Sequence, residues 1–126
     1  MSRLMSVAFT EQAVRDRTKT VTRRKGWWED KNGRRIVKPG DRIALCRKVM
    51  GRKKGEPLER IAEVEVVDVR RELLGYLYHE QDALIREGCG HMTIPLFIAN
   101  YFEPQGLGPW DEVTRIEWRY LDEVPS

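Results

Sequence analysis

The chain has 126 residues, of which 40% are hydrophobic and 34% charged, proportions of a globular protein with room for one modest core. No apolar run approaches the roughly 18–20 residues that a membrane span needs. The opening "MSRLMSVAFT" turns polar too soon for a secretory signal, so one cytoplasmic domain over residues 1–126 is expected. The net charge of +3 conceals a polarity: residues 1–60 hold 18 Lys and Arg against 7 Asp and Glu, and residues 61–126 hold 5 against 13. A basic half suits a polyanion, because phosphates it neutralises release counterions. The same numbers fit two halves that interleave and pair their charges.

In chain order, Leu4–Phe9 is a short apolar strand candidate. "TEQAVRDRT" follows as a short helix, with Thr10 at its cap and Glu11 in the first turn. "KTVTRR" alternates β-branched and basic residues, as an edge strand does. The polar connection "KGWWEDKNGRRIVKPGD" carries turn chemistry at Asn32-Gly33 and Pro39-Gly40. "DRIALCRKV" reads as a strand with Ile43, Leu45 and Arg47 alternating, and "GRKKGEP" as a loop. The longest strand signal is "RIAEVEVVDVRREL". Its alternation breaks at Val66-Val67, which predicts a bulge or a doubly covered segment.

Beyond Leu73 the period changes. "EQDALIREG" predicts a helix that stops at Gly88. A second helix starts at Thr93, tolerates Pro95 in its first turn, and repeats Ile94, Phe97, Ile98 and Tyr101 at i, i+3, i+4, i+7. "VTRIEWRYLD" closes the chain as an alternating strand, with Trp118, Tyr120 and the preceding Trp110 expected in the core or barrel wall. The ensemble is an α+β domain whose strands span the whole length, which favours a small curled sheet or barrel over a βαβ fold. No glycine-rich dinucleotide or Walker sequence is present. Cys46 and Cys89 have neither CxxC spacing nor clustered histidines, so no zinc site is expected, and two buried free thiols are. His79 and His91 stand alone.

"RTKTVTRR", Arg17–Arg24, holds the densest chemistry and three readings: a solvated edge strand, a phosphate grip, or a catalytic centre. The ordered set "K-x-x-T-x-R" (Lys19, Thr22, Arg24), "KPGD" (Lys38–Asp41), "VEVVDV", "REG" (Arg86–Gly88), "MT" (Met92–Thr93) and "VTRIEWRYL" resembles the ASCH domain over essentially the whole chain. That resemblance implies a PUA-like fold: a small β-barrel of about five to six strands with two or three flanking short helices. It also implies RNA or nucleoside chemistry. In the small acetylcytidine amidohydrolases of this family, the lysine and threonine of "G-x-K-x-x-T-x-R" and a later glutamate cleave the acetyl amide without metal or cofactor. Carried over, these are Lys19, Thr22 and, just before Gly88, Glu87. Arg17 stands where that motif has glycine, and the Glu87-to-"MT" spacing and the "GWWEDKNGRR" insertion also differ from the small amidohydrolases.

The chemistry sets conditions. A threonine hydroxyl needs a base, and lysine serves as one only when burial or nearby cations keep it neutral. Arg17, Arg23, Arg24 and Lys25 supply cations, Arg24 offers a planar fork to a carbonyl or phosphate, and Glu87 would protonate the leaving amine. Residues three apart on a regular strand face opposite sides, so Lys19 and Thr22 converge only if the chain bends between them. Trp27 and Trp28 either stack a base or cap the barrel end. Arg47, Arg52, Lys53 and Lys54 either track phosphates or form a solvated hairpin tip. The expected partner is RNA or a modified nucleoside; the alternative is a non-enzymatic module that docks nucleic acid or protein through a basic face.

Overall fold

A computed structural model describes residues 2–121. The elements run β1 (Arg3–Ser6), α1 (Glu11–Arg15), β2 (Val21–Arg24), β3 (Arg42–Cys46), β4 (Arg60–Leu73), α2 (Ala83–Glu87), α3 (Ile94–Tyr101) and β5 (Glu112–Tyr120), with 3-10 turns at Ala8–Thr10, Leu74–His79 and Glu103–Gln105. The strands form one sheet in the order β1-β3-β4-β5-β2. β1 is parallel to β3, and the other neighbours are antiparallel.

The two edges of this sheet come together. Arg24, the last residue of β2, donates from Nη2 to the carbonyl of Ser6, the last residue of β1, at 2.7 Å. Strands at opposite ends of the order meet only when the sheet is strongly curled, so it forms a half-barrel. Inside the curve lies a core of Met5, Ile43, Leu45, Val64, Val66 and Ile116 among others. A second cluster holds α3 against the Leu74–His79 turn.

β4 makes the predicted bulge. Its register with β5 shifts between Val66 and Asp68, and Val67 is left 43% exposed. The "KPGD" turn fills the gap: Gly40 N–H donates to the Val66 carbonyl and Val66 N–H to that of Asp41. α3 follows its sequence signals. Thr93 accepts from Leu96 N–H as the cap, Pro95 sits in the first turn, Phe97 and Ile98 are buried, and Ile94 and Tyr101 pack beside them.

Three expectations need correction. β1 ends at Ser6 rather than Phe9, because Val7 N–H makes one further bond to the Cys46 carbonyl and the chain then coils. Phe9 is consequently 84% exposed. The strand read through "RKV" stops at Cys46, where its register with β4 slips. Trp110 is 77% exposed, folded over Gly108 in the turn before β5, whereas Trp118 and Tyr120 are buried as expected. Among the described residues no helix is long and apolar enough to cross a membrane. Both cysteines are free and buried.

Candidate functional site

The chain does bend at the "RTKTVTRR" segment, and two helix ends produce the site. α1 closes with a Schellman pattern: Arg17 N–H bonds to the Val14 carbonyl and Thr18 N–H to that of Ala13. This pattern needs a left-handed residue at its turn, a place usually taken by glycine. Here Arg17 takes it, at φ 66°. The backbone a glycine would supply is therefore present without the glycine. The guanidinium folds back onto the carbonyls of Val14 (2.8 Å) and Arg15 (3.2 Å), adding side-chain donors at the end of the helix. It also lies 5.0 Å from the Tyr120 ring centroid.

α2 ends with the same pattern on a glycine. Gly88 N–H reaches the Ile85 carbonyl and Cys89 N–H that of Leu84, with Gly88 at φ 86°. The two turns abut, since a Cβ on Gly88 would lie 2.9 Å from that of Ala13. Lys19 leaves the first turn and Glu87 enters the second, so their meeting follows from how the helices stop. Thr20 N–H donates to the Arg86 carbonyl, and the Lys19 carbonyl accepts from Trp118 Nε1 at 3.1 Å and from the Tyr120 hydroxyl. Only then does β2 begin, at Val21. Lys19 lies outside the strand, and the divergence expected of a straight segment does not arise.

Lys19, Thr22 and Glu87 line one cavity of about 300 Å³, each nearly sealed from bulk solvent. Lys19 Nζ donates to the Glu87 carbonyl at 2.6 Å and stands 3.8 Å from its Oε1. Burial lowers the pKa of Lys19; the Arg24 and Arg23 charges push the same way, and Glu87 and Cys89 oppose them. Arg24 Nε donates to Thr22 Oγ1 at 3.2 Å, so a cation already faces the hydroxyl. Burial also lowers Arg24, against the pull of Glu87.

Arg23 is the hub beneath the cavity. Its fully buried guanidinium meets Glu87 Oε2 at 2.8 Å, Glu80 Oε1 at 2.8 Å and Glu72 Oε2 at 3.1 Å. Arg115 (2.9 Å) holds Glu80 from the far side and Arg70 (2.9 Å) holds Glu72. The basic and acidic halves therefore pair in space at this point. The Glu87 side chain thus accepts from Arg23 and lies 3.8 Å from Lys19 Nζ, the placement of a group that orients the amine.

The remaining candidates lie elsewhere. Trp27 packs against the core, and Trp28 stacks on Arg35, whose guanidinium carbon is 3.3 Å from the ring centroid. Arg47, Arg52, Lys53 and Lys54 are exposed and do not line the cavity. Arg47 pairs with Glu11, and Arg52 Nε bonds to the Val49 carbonyl. Sequence reasoning missed Phe9, Cys89 and Tyr101, which line the cavity, and Glu72 and Glu80 behind it. Cys89, a free thiol, is buried beside Lys19, and burial raises its pKa. Tyr101 carried a signal, its place on the buried face of α3, but that signal reads as core. Among the described residues no group of three or more His, Cys, Asp or Glu could hold a metal ion.

No protein-family model matches the chain, and no curated protein does. Solved structures do match. An ASCH protein from Zymomonas mobilis superposes with a TM-score of 0.58 at 15% identity, covering 92% of this chain and 65% of that one. A tyrosine-to-phenylalanine mutant of the Zymomonas protein gives 0.58 at 14% identity, covering 92% and 67%. An ASCH domain from Lactobacillus crispatus JV V101 gives 0.61 at 12%, covering 94% and 79%. The chain thus spans just under two thirds of the first Zymomonas structure's length. At these identities the likeness establishes the fold: this chain has the α+β, PUA-like fold of ASCH domains.

Proposed function

We propose that the cavity binds a modified nucleoside and hydrolyses the acyl amide of an acylated cytidine. The observation that carries this reading is the convergence of Lys19, Thr22 and Glu87 on one cavity in which burial favours the neutral amine of Lys19. A volume of about 300 Å³ lies at the small end of ligand pockets, the size of one nucleoside rather than of a polymer segment.

The residues divide the work as follows. Lys19 Nζ takes the hydroxyl proton as Thr22 Oγ1 attacks the acyl carbon. Arg24, bonded to Thr22 Oγ1, supplies positive charge beside the developing oxyanion. The C–N bond then breaks, and Lys19 passes its proton to the leaving exocyclic nitrogen. Water cleaves the resulting ester with Lys19 again as base, releasing the acid and restoring the threonine. Glu87 and Arg23 keep the amine aimed at the hydroxyl. A reducing cytoplasm, where Cys46 and Cys89 stay thiols, suits this chemistry.

Rapid acid quenching of a reaction with N4-acetylcytidine, followed by intact mass, tests the scheme. One acetyl group should appear on the wild type at Thr22 and none on Thr22→Val. An acetyl-free wild type that still releases cytidine would replace the nucleophilic role of Thr22 with direct attack by water.

A second reading rests on the exposed loop bearing Arg47, Arg52, Lys53 and Lys54. Cations on a surface away from the cavity suit phosphate tracking along RNA. Binding of single-stranded RNA should then weaken steeply with salt and flatten when Lys53 and Lys54 are changed to Gln.

A further inference from the structure

We propose that Phe9 is the platform on which the planar ring of the ligand stacks. Four rings run from the core to the cavity mouth. Phe102 and Phe97 are 5.6 Å apart, Phe97 and Tyr101 5.3 Å, and Tyr101 and Phe9 5.8 Å, at interplanar angles of 55°, 64° and 48°. All four line the cavity. The inner two are buried, Tyr101 is half-buried, and Phe9 ends the row 84% exposed. None of the three contacts is a parallel stack, so Tyr101 meets Phe9 at an angle and does not cover it face to face.

The exposure of Phe9 is not a frayed end. Ser6 is held by Arg24. Val7 is buried and its N–H bonds to the Cys46 carbonyl; Thr10 N–H bonds back to Val7. Thr10 also lies against Gly88, within 3.2 Å of where a Cβ there would sit. The 3-10 turn is fixed on both sides of Phe9, and its ring is presented to water at a cost that a ligand face would remove.

The chemistry of the floor says which kind of ligand. Below the aromatic row lie Lys19, Thr22 and Glu87, with Arg24 and Lys25 also lining the cavity. An apolar protein side chain inserted here would offer these polar groups no further hydrogen bond. A heterocycle supplies an apolar face to Phe9 and donors and acceptors at its edge to the floor. The occupant is therefore a nucleobase, and this identity rests on the nucleoside reading above.

Calorimetric titration of the full chain with cytidine and with ribose 5-phosphate tests the platform. Phe9→Ala and Phe9→Leu should each bind cytidine about 5- to 150-fold more weakly, the fold-change equivalent to about 1–3 kcal/mol per stacked base. Phe9→Trp should bind at least as tightly as the wild type. Ribose 5-phosphate, which lacks the ring, should bind all four proteins alike. The side chain is exposed, so melting temperatures should agree. Phe9→Leu binding cytidine as the wild type does would overturn stacking, as would an unaffected Phe9→Ala. A wild type that binds no cytidine would overturn the nucleoside reading itself, an outcome distinct from an indifferent Phe9→Ala.

Discussion

Replacing Arg23 by methionine tests the electrostatic skeleton of the site. Arg23 touches three carboxylates, yet the loss is not three broken pairs. Glu72 retains Arg70, and Glu80 retains Arg115 at 2.9 Å and Arg86 at 3.5 Å. Glu87 is left with Lys19 at 3.8 Å, inside a nearly sealed site. The cost is therefore that of stranding one buried charge, about 3–5 kcal/mol. For a chain of this size that lowers the melting temperature by roughly 10–20 °C. Urea unfolding followed by tryptophan fluorescence measures it, with Glu87→Gln added as the second arm of a double-mutant cycle. Neutralising Glu87 removes the stranded charge, so the double variant should regain at least about 2 kcal/mol over Arg23→Met alone. A loss under about 1 kcal/mol for the single variant, the scale of a surface pair, would refute the argument. So would a double variant no more stable than the single.

Two further outcomes follow from the geometry. The pKa of Lys19 is lowered from its ordinary 10.5, so between the folded and unfolded values the unfolded chain binds more protons and stability rises with pH. The burial cost is fully present below the folded pKa and gone above the unfolded one. The stability of Lys19→Met relative to the wild type should accordingly fall as the pH rises toward the ordinary lysine value of 10.5 in urea titrations, and a constant difference would contradict a buried, depressed lysine. At Arg17, whose φ is 66°, Arg17→Gly should be more stable than Arg17→Ala by about 1 kcal/mol, because only glycine occupies that region without strain. Equal stabilities would show that the turn relaxes.

What the sequence shows and what it hides divide along the range of the interactions. Alternation and its break at Val66-Val67 foretell β4 and its bulge, and the 3.6-residue period foretells the buried face of α3, because both signals are local. Lys19, Thr22 and Arg24 are singled out by the resemblance to the ASCH motif. The bend that brings Lys19 and Thr22 to one cavity is not visible, since Arg17 carries a left-handed turn with no glycine to mark it. The charge polarity is countable, but the pairing of Arg23 with Glu72 and Glu80 crosses 49 and 57 residues, and no local pattern encodes that. Phe9 looks like the last apolar residue of a strand. Only the 3-10 turn that follows Val7 carries it out to the cavity mouth.

The most direct measurement is release of cytidine from N4-acetylcytidine by the purified protein at neutral pH, run beside Lys19→Met and Thr22→Val. The wild type should turn over and both variants should fall by at least about 100-fold, the scale of losing a general base or the nucleophile it activates. A wild type no faster than Lys19→Met across acylated cytidines would contradict the proposed hydrolysis.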